Sequence, residues 1–236
     1  MAEADKNTSF PSTMLKVLVG LIVAVMVVVF AWYILVNASR FGWTLGWIYV
    51  CMLVAISTIN LACLLRWNPE LIDRRMRFGK GTKNWDKVWL VLLVVGVIGI
   101  YVVVDIDPPD ECSNTPAGAW LLGFVIFFLG WTLVIWSMVV NPFFEKTVRI
   151  QTDQGHRVID TGPYTYVRHP GYVGILGWII STPLLLASTW AFIPALITVL
   201  LFVVRTALED RMLRDELPGY TEYTNRVRYR LIPGVW

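Results

Sequence analysis

Residues 169–204 read HPGYVGILGWIISTPLLLASTWAFIPALITVLLFVV and contain no aspartate, glutamate, lysine or arginine. A single helix of these 36 residues would be about 54 Å long at 1.5 Å per residue, whereas the hydrocarbon core of a bilayer is about 30 Å thick. Pro183 and the segment 188–190 are natural points for a break. We therefore predict a helical hairpin of two short spans, at about 171–187 and 190–208.

The rest of the chain is also hydrophobic and poor in charged residues. Of its 236 residues, 56% are hydrophobic and 16% are charged, whereas a soluble domain carries about 25% charged residues. This composition excludes an ordinary water-soluble domain and a disordered chain. The prediction is an all-α, polytopic transmembrane helical bundle of about six spans. The four spans before the hairpin are predicted at 17–36, 43–65, 88–104 and about 116–141, within stretches that also lack charged side chains.

The basic residues indicate the orientation of this bundle. With six spans, both termini and two loops lie on the same side, and that side holds every lysine and arginine except Arg40. Basic loops stay in the cytoplasm. We therefore predict a multi-pass integral membrane protein with both termini cytoplasmic, in the plasma (inner) membrane of a prokaryote or the endoplasmic reticulum of a eukaryote. Residues 1–140 form a four-span membrane region, and residues 141–236 carry the polar, functional part.

The first polar stretch whose residues could bind a ligand or take part in a reaction is QTDQGHRVIDTGPYTYVRHPGY, residues 151–172. It leads straight into a predicted span, so that His169 and Tyr172 lie where the cytosol meets the membrane. Its glycines permit unusual backbone conformations and its prolines restrict their neighbours. Two interpretations stay open: a stiff loop that clamps a small polar ligand, or an interfacial anchor with aromatic and basic side chains at headgroup depth.

The second feature is the pair Arg205 and Glu209, four residues apart and on one face of a helix. A surface ion pair, or an arginine that snorkels from a helix end, would account for it. Against this, an arginine before a glutamate is the less favourable order for such a pair. Moreover, Arg205 follows a long uncharged run, where an ionisable side chain is a candidate for function.

The third feature is the tail LPGYTEYTNRVRYR, residues 217–230, in which arginines and aromatic residues alternate. Such a pattern is found in RNA-binding segments, but after a membrane span it favours a helix that lies on anionic headgroups. The mild net charge of +3 gives no nucleic-acid signature. With two histidines and no CxxC motif, no metal site is expected. Arg74, Arg75, Arg77 and Lys80 are interpreted as positive-inside residues with no further role.

These features, in this order, resemble the isoprenylcysteine carboxyl methyltransferase family of integral membrane enzymes, and more loosely the phospholipid N-methyltransferases. The motifs that carry the resemblance are GPYTYVRHPGY at 162–172, RTALEDRML at 205–213, GYTEY at 219–223 and the closing Ile232-Pro233. The resemblance covers about residues 141–236. Gly171 and Asp210 depart from the family pattern, since serine and a second glutamate are found there in eukaryotic members.

The resemblance implies that S-adenosyl-L-methionine is the methyl donor and S-adenosyl-L-homocysteine the product, in a cytoplasmic pocket closed by the C-terminal segment. It implies that Arg205 binds the substrate and that Arg205 and Glu209 are the catalytic residues. The implied cofactor contacts are Gln151, His156, Arg157, Val158, Ile159, Tyr164, His169, Pro170, Gly171, Tyr172 and Glu209.

The first functional hypothesis is a carboxyl O-methyltransferase whose lipidated or otherwise hydrophobic acceptor enters from the bilayer. Its partners are then this acceptor and membrane lipids, with no nucleic acid. A carboxylate is ionised at neutral pH and needs no general base, which suits this set of residues. The alternatives are an aminolipid N-methyltransferase, an NADPH-dependent enzyme like the sterol reductases, and a non-enzymatic binding or transport protein. Replacement of Arg205 or Glu209 by alanine is expected to abolish methyl transfer with nearly unchanged expression.

Overall fold

The computed structural model describes residues 44–75, 81–107 and 117–236. Within these ranges the protein is all-helical and has no β-strand, as predicted. The first predicted span, 17–36, lies outside the described residues. The seven helices in the described ranges are α1 Thr44–Trp67, α2 Pro69–Arg75, α3 Asn84–Ile106, α4 Ala117–Val140, α5 Pro170–Leu185, α6 Phe192–Glu216 and α7 Tyr220–Arg226, with 3-10 turns at Thr152–Gln154 and Gly162–Thr165.

Among the described residues, four helices are long and apolar enough to cross a bilayer, by length and composition. They are Leu45–Trp67, Asn84–Ile106, Gly118–Val140 and Phe192–Glu216. Helix α5 is apolar but shorter, with 16 residues. Helix α6 continues to Glu216, beyond the predicted end at 208, because RTALEDRMLRDE is rich in good helix formers and the next proline is Pro218. These helices are those of a multi-pass membrane protein.

The chain leaves the helical conformation between Leu185 and Phe192, at the predicted segment 188–190. Pro183, the other predicted break point, lies inside α5 instead. Ala187 adopts a left-handed φ of 53°. The Ser188 hydroxyl donates a 2.5 Å hydrogen bond to Asp107 at the end of α3 and accepts the backbone N–H of Ala191. The connection is thus tied to the neighbouring helix.

Helices α4 and α5 approach each other through glycines. A Cβ atom added to Gly174 would lie 2.4 Å from the carbonyl oxygen of Gly130, and one added to Gly130 would lie 2.7 Å from the carbonyl oxygen of Gly174. Small residues let helix backbones meet in this way inside membranes. The crossing sets the position of the start of α5, which carries site residues.

Replacing Gly130 by alanine is therefore expected to destabilise the protein by about 1–3 kcal/mol, because the backbone it would meet has no room to give. Gly118→Ala on the same helix is the matched control, since its Cβ would meet no atom within 4 Å; it should be neutral or stabilise by up to about 1 kcal/mol. The free energy of unfolding in mixed detergent measures both. Equal stability of the two variants would contradict the close crossing.

One end of the bundle is held together by polar contacts between helix ends. Asn68 Nδ2 donates to the carbonyl oxygen of Met138 at the end of α4. Lys83 forms a 2.7 Å ion pair with Glu216 at the end of α6. Together with the start of α5, these ends surround the site.

Arg74 and Arg75 have more than the charge-distribution role predicted for them. They donate hydrogen bonds to the carbonyl oxygens of Pro142 and Phe144, at 2.8 and 3.0 Å. Helix α2 therefore supports the loop that follows α4. Arg77 and Lys80 lie outside the described residues.

Candidate functional site

A cavity lies at this end of the bundle, between the loop 141–159, the start of α5, the end of α6 and α7. Its empty space is about 800 Å³, including the part that is open to solvent. All the predicted site residues except Pro170 line it. They are Gln151, His156, Arg157, Val158, Ile159, Tyr164, His169, Gly171, Tyr172, Arg205 and Glu209. Pro170 is the first residue of α5 and is buried behind this wall.

Arg205 is buried and paired, but not with Glu209 as the ion-pair interpretation required. Its Nε lies 3.1 Å from Oδ1 of Asp86, a residue of α3 that is fully buried. Its Nη2 donates to the carbonyl oxygen of Lys146 at 2.9 Å. The guanidinium carbon lies 3.9 Å from the ring centroid of Trp89, a cation–π distance. Arg205 is therefore a fixed element of the cavity wall and not a snorkelling side chain.

Glu209 faces a different partner, the hydroxyl of Tyr172, which donates to Glu209 Oε2. Glu209 Oε1 makes no hydrogen bond with the described residues. The Tyr172 ring stacks on the imidazole of His169, with centroids 5.5 Å apart and planes 7° from parallel. The guanidinium carbon of Arg205 lies 5.3 Å from the centroid of the same Tyr172 ring. The cavity thus presents a carboxylate beside aromatic faces, an environment that attracts a cation.

The loop before the 3-10 turn at 152–154 is shaped by its backbone. The carbonyl oxygen of Gln151 accepts the N–H groups of Gln154 and His156, and Gly155 closes the turn with a left-handed φ of 64°. The Gln151 side chain donates to the carbonyl oxygen of Phe143 at 2.9 Å. This geometry brings Gln151 and the His156 imidazole to the same wall.

Burial lowers the pKa of His156 from 6.5 to about 4, and the nearby positive charge of Arg149 acts in the same direction. His156 is therefore neutral at pH 7, and its Nδ1 accepts the backbone N–H of Gln151 at 3.3 Å. A neutral imidazole places no positive charge beside a cationic ligand.

This pKa shift predicts a dependence of stability on pH. Between pH 6.5 and about 4 the unfolded chain binds a proton at His156 while the folded chain does not, so the free energy of unfolding falls as the pH is lowered through this range. We expect the thermal unfolding midpoint to fall more from pH 7 to 4.5 in the wild type than in His156→Asn. Parallel decreases in the two proteins would contradict the shift.

Two buried oxygens of the cavity wall, Gln151 Oε1 and Thr147 Oγ1, have no hydrogen-bond partner among the described residues. A buried polar atom without a partner is costly, and such atoms in a cavity indicate where a ligand binds. Both atoms belong to the loop that follows α4. This wall of the cavity therefore suits a ligand with hydrogen-bond donors.

Arg149 stiffens the same loop. Its Nε and Nη2 donate to the two carboxylate oxygens of Glu145, both at 3.0 Å, and its Nη1 donates to Asp153 at 2.8 Å. A two-point contact between a guanidinium and a carboxylate fixes orientation as well as distance. Glu145 and Arg149 also line the cavity, so their charges are internally balanced there.

Tyr164 is held from both sides. Asn141 Nδ2 donates to its hydroxyl at 3.0 Å, and the hydroxyl of Tyr223 in α7 donates to its carbonyl oxygen at 2.7 Å. Burial raises the pKa of both tyrosines above 10, so their hydroxyls are neutral hydrogen-bond donors at pH 7. The contact brings α7 against the cavity.

The C-terminal tail is attached to the site by Asp210, which is fully buried. Arg168 donates to both Asp210 oxygens, at 2.7 and 3.0 Å, Arg230 donates at 2.9 Å and the Tyr220 hydroxyl at 3.1 Å. The backbone N–H groups of Arg168 and His169 donate to the tail carbonyls of Tyr229 and Arg230. The interpretation of the tail as a helix on headgroups was therefore wrong for these residues: the aromatic side chains of α7 pack inward, and Arg230 pairs inside the protein.

Gly171 leaves room for Phe144. A Cβ atom at position 171 would lie 2.3 Å from Cε2 of the Phe144 ring. Phe144 also packs against the apolar cluster of Leu64, Leu71, Val134 and Met138 and lines the cavity. The departure from serine at position 171 is thus explained by the ring that fills this space.

Sequence reasoning missed Asp86 and Trp89. Trp89 is buried beneath Arg205 and donates to the carbonyl oxygen of Leu201. The available signal was an isolated aspartate at the start of an apolar span, close to a membrane-embedded tryptophan. The importance of Asp86 is evident only from its contact with Arg205 in the structure.

Comparison with known proteins agrees with the resemblance inferred from the motifs. The sequence model of the isoprenylcysteine carboxyl methyltransferase (ICMT) family matches residues 121–215. Protein-S-isoprenylcysteine O-methyltransferase of Saccharomyces cerevisiae is 30% identical over 115 residues, 45% of this chain and 46% of that protein. Probable protein-S-isoprenylcysteine O-methyltransferase of Oryza sativa is 31% identical over 114 residues, 43% of this chain and 59% of that protein. The chain thus spans about half the length of the curated relatives it matches.

Proposed function

We infer, from the premise that residues 121–215 belong to the ICMT family, that this protein is a membrane methyltransferase that esterifies the carboxylate of a lipidated or hydrophobic acceptor. The observation that supports this function best is that Arg205 and Glu209 line one cavity without pairing with each other. One positive and one negative group are thereby offered to two different ligands. An isoprenylcysteine, the acceptor in the names of the relatives, has the required carboxylate and lipid tail.

The proposed methyl donor is S-adenosylmethionine, which supplies a methyl group on a positively charged sulfur. The residues of the cavity suit such a molecule. Glu209 and the aromatic faces of His169 and Tyr172 favour a cation, and His156 stays neutral. Gln151 Oε1 and Thr147 Oγ1 offer acceptors for its amino groups, which fits their lack of partners among the described residues. The backbone and side chains of 157–159 complete this wall, and Pro170 begins α5, which carries Gly171 and Tyr172 into the cavity lining.

Arg205 is proposed to bind the acceptor. A guanidinium holds a carboxylate by charge-assisted hydrogen bonds, and the contact leaves one carboxylate oxygen to react. That oxygen forms the new bond to the methyl carbon as the carbon–sulfur bond breaks and its electron pair stays on sulfur. Because the reaction is an in-line displacement, alignment of the two ligands is the main task of the protein. Glu209 stabilises the positive donor electrostatically.

The proposed membrane arrangement has six spans, of which α5 and α6 form the last two as a hairpin. Both termini and the cavity lie on the cytoplasmic side, following the distribution of basic residues. The lipid tail of the acceptor enters sideways from the bilayer while its carboxylate reaches Arg205. Residues 1–140 provide four spans, and residues 141–236 provide the methyltransferase core. The membrane is the inner membrane in a prokaryote or the endoplasmic reticulum in a eukaryote.

The test uses purified protein in nanodiscs with tritiated S-adenosylmethionine and S-farnesylcysteine. We expect label in a base-labile ester that releases volatile methanol, and no transfer to the methyl ester of the same acceptor. Phosphatidylethanolamine serves as the competing acceptor, and its product would be base-stable. Transfer to the aminolipid alone, or saturable binding of NADPH without binding of S-adenosylmethionine, would overturn the proposal.

A further inference from the structure

The contacts of Arg205 restrict its guanidinium group from several directions. Asp86 Oδ1 lies 3.1 Å from Nε, and the carbonyl oxygen of Lys146 accepts a hydrogen bond from Nη2 at 2.9 Å. The ring of Trp89 covers one face at 3.9 Å. Among the described residues, Nη1 makes no hydrogen bond, and Nε meets Asp86 at ion-pair distance without hydrogen-bond geometry. The group is therefore oriented, with one of its nitrogens left for a ligand.

Asp86 is itself fixed by the neighbouring chain. It is fully buried, and its other oxygen, Oδ2, accepts the backbone N–H of Val148 at 2.7 Å. The backbone N–H of Lys83 donates to the carbonyl oxygen of Val148 at 3.2 Å. The start of α3 and the segment 146–148 are thus joined by hydrogen bonds that fix the position of the Asp86 carboxylate. Val148 and Thr147 line the cavity, so this segment is also part of the cavity wall.

We propose that Asp86 is the positioning residue of the methyl transfer: through Nε it aims the Arg205 guanidinium so that Nη1 receives the acceptor carboxylate. The inference rests on the proposed function. Asp86 acts through Arg205 and does not line the cavity itself. It also lies outside the family-matched region 121–215, so that the part of the chain before this region contributes to the site as well as to the membrane spans.

Positioning predicts a selective loss. In Asp86→Asn, the amide keeps the volume of the side chain but loses the charge that orients Arg205; because a buried pair is broken, thermal stability should also fall, so activities are compared per amount of folded protein. We expect kcat/KM for S-farnesylcysteine to fall by about 100-fold, the cost of a small misalignment of reacting groups. The dissociation constant of S-adenosylmethionine should stay within twofold. The preference for binding S-farnesylcysteine over its carboxamide, measured by equilibrium dialysis, should fall by about tenfold.

Two further variants separate positioning from a structural role. Glu216→Gln is the matched control, because it removes the other ion pair between α3 and α6 at a place that does not line the cavity; its activity should equal that of the wild type. Asp86→Glu retains the charge that balances Arg205 and so keeps the fold, but moves it by one methylene. It should restore the carboxylate preference in part while kcat stays reduced.

The outcomes distinguish this inference from the function on which it rests. A wild type that transfers no methyl group would refute both. An active wild type with an equally active Asp86→Asn would refute the positioning role alone, and so would a loss of donor affinity as large as the loss of turnover. In an Arg205→Lys background, Asp86→Asn should lower kcat/KM by less than threefold, since the group it orients is already gone. A full 100-fold loss there would contradict the inference.

Discussion

Glu209→Gln is expected to lower kcat/KM for the proposed methyl transfer by about 10- to 100-fold, because it removes the negative charge proposed to bind the cationic donor, a charged contact of about 1.5–3 kcal/mol. Glutamine has nearly the same shape and still accepts the Tyr172 hydroxyl, which is the hydrogen bond that Glu209 makes in the structure. Unfolding temperature should therefore stay within a few degrees of the wild type. Initial rates with tritiated S-adenosylmethionine and S-farnesylcysteine measure the first effect, and thermal unfolding in detergent measures the second.

The matched control for this change is Asp215→Asn, on the same helix. Asp215 is exposed and lies 3.9 Å from Arg211 in a solvent-exposed pair, and it does not line the cavity. We expect unchanged turnover. Near-normal activity of Glu209→Gln, or an equal loss in both variants, would show that the Glu209 carboxylate has no special role in transfer.

The structure changes the expectation for the companion variant Arg205→Ala. Loss of activity is still expected, but expression should also fall, contrary to the expectation drawn from sequence. Removing Arg205 leaves the fully buried Asp86 carboxylate without its cationic partner, and breaking a buried pair in this way is strongly destabilising. A substitution of Glu209 therefore tests the proposed reaction with less effect on the stability of the protein than a substitution of Arg205.

Asp210→Asn is expected to lower the free energy of unfolding by about 3–5 kcal/mol, because it leaves the buried Arg168 guanidinium and the partly buried Arg230 without their counter-charge. Asp210 binds Arg168 and Arg230 and accepts the Tyr220 hydroxyl. The tail should loosen first. Limited proteolysis with trypsin is then expected to cut after Arg226, Arg228 or Arg230 much faster than in the wild type, and the unfolding free energy should fall.

Asp160→Asn provides the comparison for this second change. Asp160 forms a 2.8 Å pair with Arg226, also between the polar loop and the tail, but on the surface, where such a pair contributes about 0–1 kcal/mol. Little change in proteolysis is expected. If Asp210→Asn cleaved no faster than Asp160→Asn, the buried cluster would not be what retains the tail.

The helices of this protein were predictable because a bilayer imposes a simple physical requirement. A stretch without charged side chains must be about as long as the hydrocarbon core is thick, so the limits of α1, α3 and α4 followed from the sequence to within a few residues. The length of the uncharged run required a break, and its position followed from the segment 188–190, whereas Pro183 lies within α5. The continuation of α6 to Glu216 did not, since beyond the apolar run the helix depends on ordinary propensity and on packing against the loop and tail.

The grouping of the candidate site residues at one cavity was predictable where these residues are close together in sequence. The motif around His169 and the pair on α6 lie in continuous segments, and the helix and loop geometry brings them to one cavity. The partners of Arg205 could not be found in this way, because Asp86 and Trp89 come from a different helix, more than a hundred residues earlier. In the same way, the pairing of Arg168 and Arg230 with Asp210 depends on how the tail returns to the bundle. Neither contact corresponds to a pattern within a short stretch of the sequence.

The space shared by Gly171 and Phe144 has an evolutionary consequence. Since a Cβ atom at position 171 would overlap the Phe144 ring, substitutions at these two positions are not independent. A serine at 171 is compatible with a smaller side chain, or a displaced ring, at 144, and homologues should therefore exchange the two residues as compensating pairs. Such covariation would change the shape of the cavity wall, which both residues line. Relatives with the same reactive groups would then bind acceptors of different width.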